Sequence, residues 1–97
     1  MNTRSAQRLA GEMARTLSEI LACEVRDEEL SGVFVLRVEL VGNRAKVFFS
    51  SQREPFEVAK ALERAKGFLR AGLARDMGLQ RVPNLIFVPE DPNRMEE

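Results

Sequence analysis

The 97-residue chain contains no histidine, no tryptophan and no tyrosine. Because histidine is absent, the sequence excludes catalytic triads, general bases and metal sites that depend on an imidazole. Six phenylalanines are the only aromatic residues. Most of them fall where we expect the core, and Phe48 is the one expected on the surface. The sequence therefore does not favour recognition of nucleic-acid bases by stacking on aromatic rings.

Cysteine and long apolar runs are also scarce. The single cysteine, Cys23, excludes an intramolecular disulfide and thus the small secreted scaffolds held together by disulfides. Cys23 ends an apolar helical stripe, so we expect a small buried side chain, with a reactive thiol as the alternative. No apolar run approaches the roughly 18 residues of a membrane span, and the first residues lack the apolar core of a secretory signal. We therefore expect a cytoplasmic protein without membrane contact.

Neither sign of charge is in excess, since 15 basic residues balance 15 acidic ones. The charges are nevertheless segregated along the chain. Residues 31–53 and 55–82 each have a net charge of +3, whereas residues 24–30 and 83–97 each have −3. A basic middle of the chain is typical of a protein that binds a polyanion.

Hydrophobic periodicity predicts the secondary structure. It indicates a helix over 3–23, an acidic loop over 24–31, a β-hairpin over 33–50, a helix over 55–77 and a strand over 85–88. The hairpin turns at Gly42-Asn43, where positive φ angles are expected. Its first strand is expected to bury the alternating residues Phe34, Leu36, Val38 and Leu40, and its outer face carries Arg37, Arg44 and Lys46.

This order predicts an α+β fold, α-β-β-α-(break)-α-β, with a three-stranded sheet covered by helices on one face. The length fits one domain over residues 1–97. We expect an ordered core over about 3–88 and a flexible acidic tail over 89–97.

Two glycines interrupt the helix over 55–77, although each costs about 1 kcal/mol relative to alanine. Gly67 falls on the polar face, between basic side chains. It is interpreted either as a break that exposes main-chain N–H groups, or as a gap that lets a sugar-phosphate backbone approach, or as a glycine without a ligand. Gly72 lies toward the apolar side, where packing of the helix on the sheet explains it.

The polar face of the first helix has two interpretations. Arg8–Glu12 and Arg15–Glu19 are spaced for ion pairs, so the face is explained as a solvated, self-stabilised surface. Alternatively it contacts a partner, mainly through Arg4 and Arg8 at its exposed end.

Several segments together resemble the bacterial ribosome-binding factor A family. They are the opening Arg4…Arg8-Leu9-Ala10, the strand Ala45-Lys46-Val47-Phe48-Phe49-Ser50, the run Leu62-Glu63-Arg64-Ala65-Lys66-Gly67-Phe68-Leu69-Arg70, and Arg81-Val82-Pro83-Asn84-Leu85-Ile86-Phe87. The resemblance covers residues 4–91, with the segments in order at family-like spacing.

The resemblance implies a type II KH-like domain in which Ala65, Lys66 and Gly67 replace the Gly-x-x-Gly loop of ordinary KH domains. It implies an assembly factor that acts in late maturation of the small ribosomal subunit, including 5′-end processing of its RNA, and that matters most for growth in the cold. The implied protein is not an enzyme and is expected to be a monomer. Its partner is the small subunit with its rRNA, with no cofactor and no small-molecule substrate.

Charge and resemblance together lead to a hypothesis for RNA binding through phosphate contacts. The first candidates are Lys60, Arg64, Ala65, Lys66, Gly67 and Arg70, and the second are Arg4, Arg8, Arg44 and Lys46. An alternative is a protein-interaction adaptor that uses the acidic loop and tail for docking and does not contact RNA. A metal-dependent nuclease would need clustered acids, and the run Asp27-Glu28-Glu29 is more simply a solvated loop.

Overall fold

The structure of the protein is a computed structural model that describes residues 3–91. Its elements are α1 (Thr3–Cys23), β1 (Phe34–Val41), β2 (Arg44–Ser50), α2 (Pro55–Arg64), α3 (Lys66–Met77) and β3 (Asn84–Pro89), with a short 3₁₀ helix over Glu28–Leu30. The predicted order of elements and the α+β class are confirmed. No helix within residues 3–91 is long and apolar enough to cross a membrane.

The sheet has the order β1-β2-β3, so β2 is the central strand. β1 and β2 form the predicted antiparallel hairpin, and β3 pairs with β2 in parallel. Gly42 takes a φ of +60° in the turn, which glycine adopts without steric cost. Asn43 does not, because no non-glycine residue in the described part of the chain has a positive φ.

The core lies between the sheet and the three helices. β2 contributes Ala45, Val47 and Phe49, each at most 2% exposed. From α1, Met13, Leu17 and Ile20 are buried as predicted. The other buried apolar residues of the core are Ala10, Leu21, Leu30, Val38, Val58, Ala61, Leu62, Leu69, Leu73 and Leu85.

Cys23 is exposed, so its predicted burial is wrong. The buried stripe of α1 ends at Leu21. Each helical residue turns the side-chain direction by about 100°, so Cys23 lies about 200° beyond Leu21 and points away from the stripe.

A β-bulge overturns the predicted alternation at the start of β1. Val35 pairs with Phe49 and Arg37 pairs with Phe48, which leaves Leu36 as the extra residue. Because one added residue moves side chains to the opposite face, Phe34 and Leu36 are exposed, at 65% and 38%. Val35 packs against the core instead, and the predicted alternation holds only beyond the bulge.

α2 begins at Pro55, and the Glu54 carboxylate accepts a hydrogen bond from the Glu57 amide at the predicted start of the helix. Phe56, predicted to belong to the apolar stripe, is 65% exposed, whereas Val58 and Ala61 are buried. The stripe follows three- and four-residue steps from Val58, and Phe56 lies two residues from it on the opposite side.

The end of α3 follows the sequence prediction. Gly78 caps the helix with a φ of +67°, and the Leu79 amide donates to the Ala74 carbonyl oxygen. β3 continues through Pro89, and the Glu90 amide donates to the Phe49 carbonyl oxygen at 2.8 Å. Residues 92–97 of the predicted flexible tail lie outside the described residues.

Candidate nucleic-acid interface

The long helix is divided at Ala65, two residues before the predicted break. Ala65 has φ −88° and ψ 0° and is both the last cap of α2 and the first cap of α3. Its amide donates to the carbonyl oxygens of Ala61 and Leu62, and its own carbonyl accepts from Leu69. Its methyl group makes no side-chain cap hydrogen bond to the first N–H groups of α3. The break is therefore real, but Gly67 lies inside α3.

Gly67 and Gly72 have different surroundings. A Cβ atom on Gly67 would meet nothing within 4 Å, so packing does not explain the glycine. A Cβ atom on Gly72 would lie 2.6 Å from Ile20 Cδ1. Close packing does explain Gly72, but the helix packs there against α1. The prediction of packing against the sheet is wrong.

Carboxylates accompany three of the cations near the break. Arg64 pairs with Glu29 and lies 3.7 Å from Asp27, both in the acidic loop. Lys66 Nζ is 3.0 Å from Glu63, and Lys60 Nζ is 3.9 Å from Glu57. These side chains are partly or largely exposed, and such surface pairs contribute only about 0–1 kcal/mol. The carboxylates lower the local positive charge without fixing the cations in place.

Arg70 has a different kind of partner. Its Nη2 donates to the Val82 carbonyl oxygen at 2.7 Å. This neutral acceptor holds the guanidinium against the segment between α3 and β3 and leaves its positive charge in place. Further guanidinium N–H donors are left for a phosphate.

The second group of predicted residues lies on α1 and β2. Arg4, Arg8, Arg44 and Lys46 are exposed, and within residues 3–91 none of the four has a carboxylate at ion-pair distance. The ion pairs predicted along α1, Arg8–Glu12 and Arg15–Glu19, do not form. Lys46 lies opposite Glu39 in the sheet, but that carboxylate bonds Arg37 instead.

The exposed aromatic residues are not those predicted. Phe48 is half-buried, with the Arg37 guanidinium 4.0 Å above its ring. Hydrogen bonds with Glu90 and Glu39 raise the pKa of Arg37 and hold it there. Phe34, Phe56 and Phe68 are exposed instead, at 65%, 65% and 47%. Phe68 follows Gly67 directly, so an aromatic ring does lie beside the break.

Sequence reasoning missed a cleft at one end of the molecule and the cation Arg81 beside it. The cleft has a volume of about 680 Å³. It is bordered by the first half of α1, the hairpin turn, Arg70 and the segment between α3 and β3. Arg81 lines it and is exposed. The only sequence signal was the net positive charge of residues 55–82, because residues from four separate segments meet here only in the fold.

The acidic run folds around its own capping contacts. The Asp27 carboxylate accepts a hydrogen bond from the Glu29 amide and so starts the 3₁₀ helix. Among residues 3–91, no group of three or more acidic or cysteine side chains is placed to hold a metal ion. The run therefore has a structural explanation in its cap and its contact with Arg64.

A family model described as Ribosome-binding factor A matches residues 5–97 of the chain. Ribosome-binding factor A of Prochlorococcus marinus is 36% identical over 93 residues, which cover 89% of this chain and 76% of that protein.

Two sets of Thermus thermophilus coordinates share the fold. The crystal structure of ribosome-binding factor A from this organism has a TM-score of 0.81 at 31% identity, over 87% of this chain and 93% of that one. A homology model of this factor, fitted into a cryo-EM map of a 30S complex, has a TM-score of 0.72 at 29% identity, with the same coverage. The fold is thus KH-like, as the resemblance implies.

Proposed function

The chain belongs to the ribosome-binding factor A family, and we propose that it binds the small ribosomal subunit and its rRNA as an assembly factor. The observation that carries the proposal is the likeness to the factor whose coordinates were fitted into a 30S complex. Action in late maturation, 5′-end processing of the rRNA and growth in the cold belong to the same proposal. So do a non-enzymatic role, a monomeric state and a place in the cytoplasm.

The contact surface in this proposal begins at the break. The first N–H groups of α3 lack a side-chain cap at Ala65, and a helix N-terminus attracts anions through these groups and its dipole. Gly67 is open to solvent, so a phosphate can approach the main chain there. Lys66 and Arg70 flank this position within one helical turn.

RNA binding requires the paired cations to exchange partners. Arg64 and Lys60 are 59% and 54% exposed in their side chains, so their carboxylate partners compete with solvent and salt. A phosphate carries a full charge and several acceptor oxygens and replaces such a carboxylate at little cost. The unpaired cations Arg4, Arg8, Arg44 and Lys46 extend the surface and need no exchange.

The adaptor alternative uses the acidic loop for docking. Asp27 and Glu29 contact Arg64, and Glu24 accepts two hydrogen bonds from Arg75. A partner docking on this loop would compete with contacts inside the chain. RNA binding at Arg64 competes with the same contacts, but Arg4, Arg8, Arg44 and Lys46 have no ion pair to break within residues 3–91, which supports the basic surface over the loop.

Charge reversal separates the two functions. The variant Arg64→Glu/Lys66→Glu/Arg70→Glu should lose affinity for purified small subunits by about tenfold or more, since it removes several phosphate contacts. The matched control is Arg15→Glu/Arg26→Glu/Arg53→Glu, which changes net charge equally at exposed arginines that have no ion pair within residues 3–91. Co-sedimentation measures both, and circular dichroism checks the fold.

Equal affinity of the reversed variant and the wild type would support the adaptor. Equal losses in both variants would indicate attraction by net charge alone. Binding to large subunits as strong as to small ones would contradict the proposed partner.

A further inference from the structure

The cleft beside the hairpin turn combines apolar walls, two side-chain amides and two guanidinium groups. We propose that it binds one unpaired nucleotide of the small-subunit rRNA, with the base between the apolar walls and the phosphate at Arg70 and Arg81. This inference rests on the proposed function. It adds a contact away from the break, and of the two arginines only Arg70 is among the RNA-binding residues predicted from the sequence.

The walls of the cleft are mainly aliphatic. Leu9 comes from α1, Leu40 from β1, and Leu79, Val82 and Pro83 from the segment that joins α3 to β3. The volume of about 680 Å³ lies within the roughly 300–1,000 Å³ of small-molecule sites. A nucleobase removed from its helix is held between apolar or aromatic side chains in such a space. The walls therefore suit the flat, weakly polar face of a base.

Two asparagines supply hydrogen-bonding groups at the cleft. Asn43 of the hairpin turn and Asn84 at the start of β3 both line it and are exposed. They are held together because the Asn84 main-chain amide donates to the Asn43 carbonyl oxygen at 2.9 Å. Their side-chain amides have no hydrogen-bond partner within the described residues. A carboxamide presents a donor beside an acceptor, the pattern that asparagine uses to bind the edge of adenine.

The charged groups at the cleft are of one sign. Arg70 and Arg81 line it, and none of the described residues that line it is acidic. The bond to the Val82 carbonyl fixes Arg70 in advance, so less conformational entropy is lost when a phosphate binds. A purely apolar peptide would leave the Arg81 guanidinium, the remaining N–H donors of Arg70 and both carboxamides without partners in the cleft. This combination favours a nucleotide over an apolar protein segment.

The cleft and the break lie close to each other along α3. Arg70 lies one helical turn from Lys66 and contacts Val82, which lines the cleft. A turn of α-helix spans about 5.4 Å, so Lys66 and Arg70 are close enough along α3 to contact successive parts of one RNA strand. A strand held at the N-terminus of α3 would then have its next nucleotides near the cleft.

Site-directed cross-linking tests the nucleotide directly. Gln80 is exposed and lies between the cleft residues Leu79 and Arg81, but it is not part of the cleft lining. The double variant Cys23→Ser/Gln80→Cys carries one thiol beside the cleft, to which a short photoreactive group is attached. The control is the wild-type chain labelled at Cys23, which is exposed at the other end of α1, roughly 21 Å from Leu9 at about 1.5 Å per residue.

The labelled proteins are bound to purified small subunits and irradiated, and the cross-linked rRNA is mapped by primer extension. We expect the label at residue 80 to reach one or two adjacent unpaired nucleotides that the label at Cys23 does not reach. A cross-link to a ribosomal protein alone, to base-paired RNA, or to nothing while the complex still forms would overturn the inference and leave the proposed function intact. Failure of both labelled proteins to bind would instead count against the proposed function.

Two substitutions give an independent reading of the cleft. Asn84→Ala removes one carboxamide and Arg81→Glu removes one cation, and we expect each to weaken binding to small subunits by about fivefold or more. Arg81→Lys keeps the charge and should recover most of the affinity, and Arg53→Glu is the matched control for charge. Wild-type affinity in both cleft variants would contradict the inference, whatever the break contributes.

Discussion

Gly67 and Gly72 lie in the same helix and differ in the room around them. Alanine at Gly67 meets no atom within 4 Å, whereas alanine at Gly72 meets Ile20 Cδ1 at 2.6 Å. We expect Gly67→Ala to raise the free energy of unfolding by about 0.5–1 kcal/mol through helix propensity. We expect Gly72→Ala to lower it by about 1–2 kcal/mol, because Ile20 must shift within a packed core. Urea unfolding of the two variants measures both values.

Gly67→Ala also tests whether the open position at residue 67 serves a ligand. If a phosphate approaches the main chain at Gly67, Gly67→Ala weakens binding to small subunits severalfold although the protein is more stable. An affinity for small subunits unchanged in Gly67→Ala would mean that the glycine serves no ligand.

Asp76 is expected to make the stability of the protein depend on pH in the acid range. A hydrogen bond with Arg75 lowers the pKa of the Asp76 carboxyl from its usual value near 3.8. A lowered pKa stabilises the fold above the ordinary pKa, and this contribution is lost as the pH falls through the folded-state value. We expect Asp76→Asn to be less stable than the wild type at pH 7. The difference should shrink steadily below about pH 4.

Urea unfolding from pH 7 down to pH 3 measures this difference. Asp27→Asn is not a suitable control, since Asp27 caps the 3₁₀ helix, so Glu19→Gln, without an ion pair in the described part of the chain, is used. A difference between wild type and Asp76→Asn that stays constant over this range would show that the Arg75–Asp76 pair contributes nothing that depends on pH.

At the scale of elements, the contact between the 3₁₀ helix and α2 keeps Arg64 of the candidate interface paired with a carboxylate. Arg64 donates a hydrogen bond to Glu29, whose side chain is 47% exposed. We expect Glu29→Gln to remove the shorter of the two carboxylate contacts of Arg64, with Asp27 left at 3.7 Å, and to raise the affinity for small subunits about two- to fivefold, the range of a surface ion pair of about 0.4–1 kcal/mol. Glu19→Gln makes the same charge change at an exposed site that is not in an ion pair and serves as the control.

Titration of small subunits with the two variants compares them directly. An equal gain in both would reflect net charge alone. Weaker binding by Glu29→Gln would show that the acidic loop itself contacts the partner, as the adaptor alternative requires.

The elements themselves were predictable because each depends on local periodicity. The stripe of α1, the Pro55 start, the Gly78 end and the alternation of β2 follow from residues close in sequence. The errors arise where a contact between distant parts of the chain decides the outcome. The bulge at Leu36 is a feature of the pairing between β1 and β2. Nothing in the sequence of β1 alone indicates it.

The candidate site was only partly predictable for the same reason. A helix break near Gly67 could be inferred from the glycine, although Ala65, the residue at the break, carries no special signal. The partners of Arg64 and Arg70 lie 35 and 12 residues away, so their ion pair and hydrogen bond depend on the fold. Arg81 and the cleft around it depend on four segments that sequence spacing does not connect.

At the scale of the whole molecule, a net charge of zero coexists with an uneven surface. Three of the four acidic side chains of residues 24–29 contact cations within the fold: Asp27 and Glu29 contact Arg64, and Glu24 contacts Arg75. Within the described residues, Arg4 and Arg8 on α1, Arg44 and Lys46 on the hairpin, and Arg70 and Arg81 at the cleft have no ion pair, whereas Arg37 of the hairpin pairs with Glu39 and Glu90. A chain without net charge thus carries cations free of ion pairs, and we propose that these cations meet the phosphates of the rRNA.

The salt dependence of binding to purified small subunits tests this account most directly. If about five phosphates are contacted, the logarithm of the association constant should fall with the logarithm of salt concentration at a slope on the order of −3.5 to −4.5. The variant Arg64→Glu/Lys66→Glu/Arg70→Glu should show a shallower slope, and Arg15→Glu/Arg26→Glu/Arg53→Glu should keep that of the wild type. A wild-type slope near zero would contradict the account, because binding would then not depend on phosphate contacts.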